Sequence, residues 1–150
     1  MRTDPLSDPP TPPPDRVVLV ALTSADHRTR RAAEEIGAEL ARHGLHPCLA
    51  RAADVDSLAG VRAVVLGGAG DRPWARLAAV RFLRRHAVVL HVRPWWVFDV
   101  APLPGGLPHP VDAPGLAPAG PVGLGGPAGW AGWAGGIAAS LRPATPAAHV

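Results

Sequence analysis

The chain has no lysine, asparagine, glutamine or tyrosine, and only one cysteine and one methionine in 150 residues. Its 15 basic residues are therefore all arginine. Together with the abundance of alanine, glycine, proline and valine, this pattern reads as a coding bias toward G and C. The isoelectric point of 10.9 follows from the arginines and overstates the charge, which is only +3 at neutral pH. Cys48 stands alone, which excludes a disulfide within the chain. Its apolar context reads as that of a small buried core residue, in keeping with a reducing cytoplasm. No stretch approaches the ~20 consecutive apolar residues of a membrane span, so a soluble protein is expected.

Nucleic-acid binding would want arginines gathered on one face with stacking aromatics among them. Here they are spread along the chain. The seven histidines show no metal-ligand spacing. Residues 1–15, MRTDPLSDPPTPPPD, lack an apolar segment and are dominated by proline, which predicts a disordered tail rather than a signal peptide or anchor.

The most informative stretch is RVVLVALTSADHRTRRAAEEIGAELARHG, from Arg16 to Gly44. Val17 to Leu22 is a continuous apolar run, as in a parallel strand covered on both faces. Thr23, Ser24, Asp26 and Thr29 then supply hydroxyls and a carboxylate where a helix should begin. A helix N-terminus has unpaired N–H groups and partial positive charge, so this loop suits an anion such as phosphate. Alternatively, Asp26 or Ser24 caps the helix and fills that position itself. In the helix, Ala33, Ile36, Gly37 and Leu40 form one stripe, with Arg31, Glu34, Glu35 and Arg42 opposite, and Gly44 ends it.

Short strands are expected at His46 to Ala50 and Ala63 to Leu66, the latter followed by Gly67, Gly68 and Gly70. Those glycines admit either a close-approaching ligand or a tight turn. From Trp74 to about His91 the spacing predicts a long helix, with Trp74, Ala75, Ala78, Ala79, Phe82 and Leu83 on one arc and Arg76, Arg81 and Arg84 opposite. Val88 to Val92 also fits a strand, but Arg93 and Pro94 break the chain before a better one, Trp95 to Asp99. The order βα, β, βα, β predicts a parallel sheet with right-handed crossovers.

Residues 101–127 hold eight prolines and seven glycines, and neither period survives there. An irregular segment over 104–127 is expected. Trp130, Trp133, Ile137 and Leu141 share one face of a closing helix, and the two tryptophans are either core or ligand-stacking residues. Residues 142–150 read as a second tail. The expected domain is thus 16–141.

RVVLVALTSADHRTRRAAEEIGAEL, AVVLGGAGDRPWARLAAVRFLRRHA, RPWWVFDVAPL and GWAGWAGGIAASL resemble, in order and spacing, the flavodoxin-like domains of the protoporphyrinogen-oxidase type. The likeness implies a three-layer α/β/α sandwich with a parallel sheet and a crevice at the carboxyl ends of the strands. It also implies FMN, with Thr23, Ser24, Arg28 and Thr29 holding the phosphate. Gly68, Ala69, Gly70 and Pro102 would border the ring and Trp74 would stack on it. The implied role is electron transfer or oxidoreduction with a redox partner protein. The chain departs from the family at the site: His27 stands where members carry glycine, the second loop lacks its tyrosine, and the fifth strand has no clear counterpart. Asp26 would also repel a phosphate.

Two other classes compete. A flavin-free interaction domain that kept the fold and lost the site accounts for Asp26 and His27. A phosphoacceptor receiver domain needs an acidic pair after its first strand and a lysine near its end, and the chain has neither.

Overall fold

A computed structural model describes residues 16–67, 73–100, 116, 118–120, 122–123 and 129–141. The expected tails, residues 1–15 and 142–150, lie outside the described residues, as do Gly68, Ala69, Gly70, Pro102 and most of 104–127.

Four parallel strands form one sheet in the order β2-β1-β3-β4. They are β1 (Val17–Leu22), β2 (His46–Arg51), β3 (Ala63–Gly67) and β4 (Trp95–Phe98). The helices are α1 (His27–Arg42), α2 (Pro73–Arg85), the single turn α3 (Ala87–Leu90) and α4 (Gly129–Ser140). Apolar side chains on these strands alternate between two separate cores, as the pleat requires. Val18, Val20, Ala63, Val65, Trp96 and Phe98 pack against Ile36 and Leu40 of α1 and Ala134 and Ile137 of α4. Leu19, Ala21, Val64, Leu66, Trp95 and Val97 pack against Ala79, Phe82 and Leu83 of α2 and Leu90 of α3. Two helical layers thus sandwich the sheet, as the sequence predicts.

Three local expectations need correction. The long helix from Trp74 to His91 is interrupted at His86, although the amides of His86 and Leu90 still donate to Phe82 and His86 carbonyls at 3.1 and 3.0 Å. Trp74, expected on the buried arc of α2, is 51% exposed, while Ala75, Ala79, Phe82 and Leu83 are buried. Cys48 is exposed, not core. It lies beside Leu19 on the edge strand β2, on the face that α2 and α3 cover farther along the sheet, so the edge itself stays open.

Two described residues of the proline- and glycine-rich segment hydrogen-bond to β4. The Ala119 amide donates to the Trp95 carbonyl at 2.7 Å and the Gly123 amide to Val97 at 2.9 Å. The Asp99 amide returns a bond to the Gly123 carbonyl at 2.8 Å, so Gly123 pairs parallel with Phe98. Glycine is required at 123, because a Cβ there would lie 2.5 Å from Cε2 of Trp133.

Candidate functional site

The loop between β1 and α1 emerges at the carboxyl ends of the central strands. Thr23 fastens it to β3: its amide and its Oγ1 hydroxyl each donate to the Gly67 carbonyl at 2.9 Å. Ser24, nine-tenths buried, accepts the Asp26 amide on Oγ at 3.0 Å, which closes a tight side-chain turn. Asp26 is the N-cap of α1. Its backbone carbonyl takes the first helical bond, from Arg30 at 3.0 Å, and its Oδ1 accepts the Arg28 amide at 3.4 Å. The carboxylate therefore lies beside one amide of the first turn, where the positive potential of the helix start favours it.

Arg28 turns its guanidinium across the mouth of the crevice and donates from Nη2 to the Val100 carbonyl, just beyond β4, at 2.9 Å. Thr29 is 1% exposed and lies on the inward stripe of α1 with Ala33 and Ile36. Of the residues expected to hold phosphate, Thr23, Ser24 and Arg28 thus gather around the loop, whereas Thr29 is enclosed. Trp74 opens the first turn of α2 and is half exposed.

On the α1 side of the sheet, Phe98, Trp130 and Trp133 form an edge-to-face cluster with ring centroids 5.3 to 6.2 Å apart. Phe98 is fully buried and both tryptophans are partly buried against the same core, which makes this cluster structural. His86 went unnoticed in the sequence. It is buried, its ring lies 4.7 Å from that of Phe82 at a tilt of 52°, and it bonds to the Val55 backbone, yet its Nε2 has no partner among the described residues. Burial pushes its pKa below the usual histidine value, which outweighs the opposite pull of the Val55 bond. Among the described residues no group of three or more histidine, cysteine, aspartate or glutamate side chains is placed to hold a metal, and no helix is long and apolar enough to cross a membrane.

No protein-family model matches the chain, and no curated protein does. Solved structures do match. A flavodoxin from the domain Archaea is 16% identical, with 85% of this chain and 99% of that one covered at a TM-score of 0.59. A diflavin flavoprotein A3 from Nostoc sp. is 14% identical, covering 83% and 92% at 0.56. The flavodoxin-like domain of a Synechococcus sp. protein is 20% identical, covering 83% and 94% at 0.54. With the strand order and two helical layers, these matches define an α/β flavodoxin-like fold.

Whether the loop suits the FMN phosphate that the resemblance implies is decided by what its groups already do. The Thr23 hydroxyl is committed to Gly67, the Arg28 guanidinium donates to Val100, and Thr29 is enclosed. Ser24 Oγ already accepts the Asp26 amide, and the Asp26 carboxylate caps the first turn. A phosphate ~4 Å from Asp26 would be repelled by about 4 kcal/mol per unit charge before screening. As folded, the first turn of α1 does not fit a phosphate dianion.

Proposed function

We propose that this flavodoxin-like domain works without flavin, as a docking module for a partner protein. The observation that carries this reading is the Asp26 carboxylate seated on the first turn of α1, where a cofactor phosphate would have to sit. A fold can persist after its site is lost, and function must be argued from the site.

A surface for the partner lies on α2 and α3. Trp74, Leu77, Arg81, Arg84 and Val88 are all exposed at a spacing of i, i+3, i+7, i+10 and i+14, one outward stripe. α2 holds four arginines and no acidic residue. The described ion pair there, Arg85 with Asp56 at 3.3 Å, leaves the stripe cationic. Large apolar side chains beside arginines favour a partner segment of the opposite character, apolar with acidic flanks.

A labelled helical peptide carrying leucine and glutamate on one face is a suitable probe, followed by fluorescence anisotropy. Binding should weaken with salt and fall at least tenfold in the Arg81→Glu/Arg84→Glu double variant. No binding, or equal binding by the variant, would overturn the docking reading.

A second reading has one observation behind it. Arg28 reaches across the loop mouth to Val100, and its charge could offset Asp26 if it swung toward a phosphate. In that case Thr23, Ser24, Arg28 and Thr29 would hold the phosphate, while Gly68, Ala69, Gly70, Trp74 and Pro102 would border the ring. The flavin would supply redox chemistry for a partner protein, in a domain of the protoporphyrinogen-oxidase type. A yellow chromophore that persists through purification would favour it.

A further inference from the structure

The outward stripe of α2 and α3 has a counterpart in the chain's own sequence. Residues 4–8, DPLSD, set Leu6 between Asp4 and Asp8, an apolar residue with acidic flanks, which is the character that the stripe favours. Residues 1–15 carry three aspartates, Asp4, Asp8 and Asp15, against one arginine, Arg2, while α2 holds four arginines and no acidic residue. Neither Arg81 nor Arg84 has an ion pair or hydrogen bond among the described residues. Six prolines bias the segment toward an extended backbone, so ordering it beside an exposed aromatic such as Trp74 costs little entropy.

The segment also joins the sheet at the same end as the stripe. The Arg62 amide donates to the Val17 carbonyl at 2.8 Å and the Val64 amide to the Pro94 carbonyl at 3.2 Å, so the amino ends of β1, β3 and β4 lie side by side. α2 and α3 carry the chain from the end of β3 back to the start of β4, which brings Val88 and Val92, 85% and 75% exposed, toward the end where residue 16 enters β1. Two strand spacings are about 10 Å, and a helical stripe from residue 74 to residue 88 rises about 21 Å. At ~3.1 Å per residue, a polyproline chain of this length spans about 45 Å and reaches all of it.

We propose that residues 1–15 fold back onto the α2–α3 stripe and occupy it until a partner of the same chemistry displaces them. The inference rests on the docking reading and adds its regulation, an internal competitor for the partner's surface. Tethering gives the segment an effective concentration on the order of millimolar, so a contact too weak to hold a free peptide still fills the surface.

A nitroxide attached at Ser7→Cys in the full chain, with the exposed thiol removed by Cys48→Ser, tests the contact through amide NMR. Relative to the reduced label, the amides of Leu77, Arg81 and Val88 should lose at least half their intensity, and Arg81→Glu/Arg84→Glu should restore it. Full intensity along α2 and α3, or losses that the double variant leaves unchanged, would overturn the contact. Losses that grow with protein concentration would mean contact between copies and would equally overturn it. In the full chain, Asp4→Asn/Leu6→Ser/Asp8→Asn should bind the helical leucine–glutamate peptide at least threefold more tightly than the parent does. Equal binding by the two would overturn the competition and leave the docking surface standing. Binding by neither would overturn the docking reading and this one with it.

Discussion

The ring of Phe98 occupies the space that a side chain at residue 67 would need. Gly67 and Phe98 are register partners on β3 and β4, and a Cβ built on Gly67 would fall inside the contact distance of the ring. That same glycine's carbonyl receives both bonds from Thr23. The end of β3 thus holds the functional loop on one side and the aromatic cluster on the other.

Gly67→Ala should therefore destabilise the fold by about 1–3 kcal/mol, the usual cost of overpacking. Phe98→Ala alone should cost about 3–5 kcal/mol. In the double variant the ring is gone and the new methyl has room, so the combined loss should be smaller than the sum. Urea unfolding of the three variants measures this, and strict additivity would show that the ring and the glycine do not compete for one space.

The bridge between Gly123 and Phe98 makes a prediction about exchange. The amides of Ala119 and Gly123 donate to Trp95 and Val97 carbonyls, so they should exchange with solvent far more slowly than amides of an open loop. Gly123→Ala should speed exchange at residue 123 and at Asp99, because the methyl would collide with Trp133. Unprotected amides at 119 and 123 in the parent would contradict the pairing.

Buried His86 makes stability depend on pH. Its folded pKa is depressed below the usual 6.5, so the native state binds its proton less readily than the unfolded chain. The stabilisation is fully present above about pH 6.5 and declines as pH falls through the unfolded value toward the folded one. Arg85 and Asp56 face the ring with opposite effects, Arg85 lowering its pKa and Asp56 raising it. Between about pH 5 and 7 the parent should lose stability on acidification, and His86→Gln, which keeps a side-chain donor, should lose much of that slope. Denaturant midpoints measured across this range decide it; identical slopes would show that His86 takes up its proton in the native state as readily as in the unfolded chain.

The strands and α1 were legible because both follow a strict period. The continuous apolar runs at Val17 to Leu22 and Ala63 to Leu66 belong to strands covered on both faces, and Ile36 and Leu40 mark a single buried stripe. Elsewhere the sequence misleads where long-range contacts decide. Gly123 looks like irregular loop, yet its place is set by Trp133 and β4, which lie ten and 25 residues away. Cys48 and Trp74 look like core because their neighbours are apolar, but exposure depends on which helices reach the sheet edge and the first turn of α2. In the site, the hydroxyls and the capping role open to Asp26 were visible. The enclosure of Thr29 and the reach of Arg28 to Val100 were not, since both depend on how α1 sits against the sheet.

The central claim is that Asp26 fills the seat of a cofactor phosphate, and titration with FMN, followed by quenching of flavin fluorescence, tests it most directly. Parent, Asp26→Gly and Thr29→Ala are compared. The account predicts no quenching by any of the three at micromolar FMN. Asp26→Gly should lose only a few tenths of a kcal/mol in stability, since glycine is a tolerated N-cap and the bond it replaces is long at 3.4 Å. Saturable quenching by the parent at one flavin per chain, strengthened by Asp26→Gly and weakened by Thr29→Ala, would contradict the account and establish the flavoprotein reading instead.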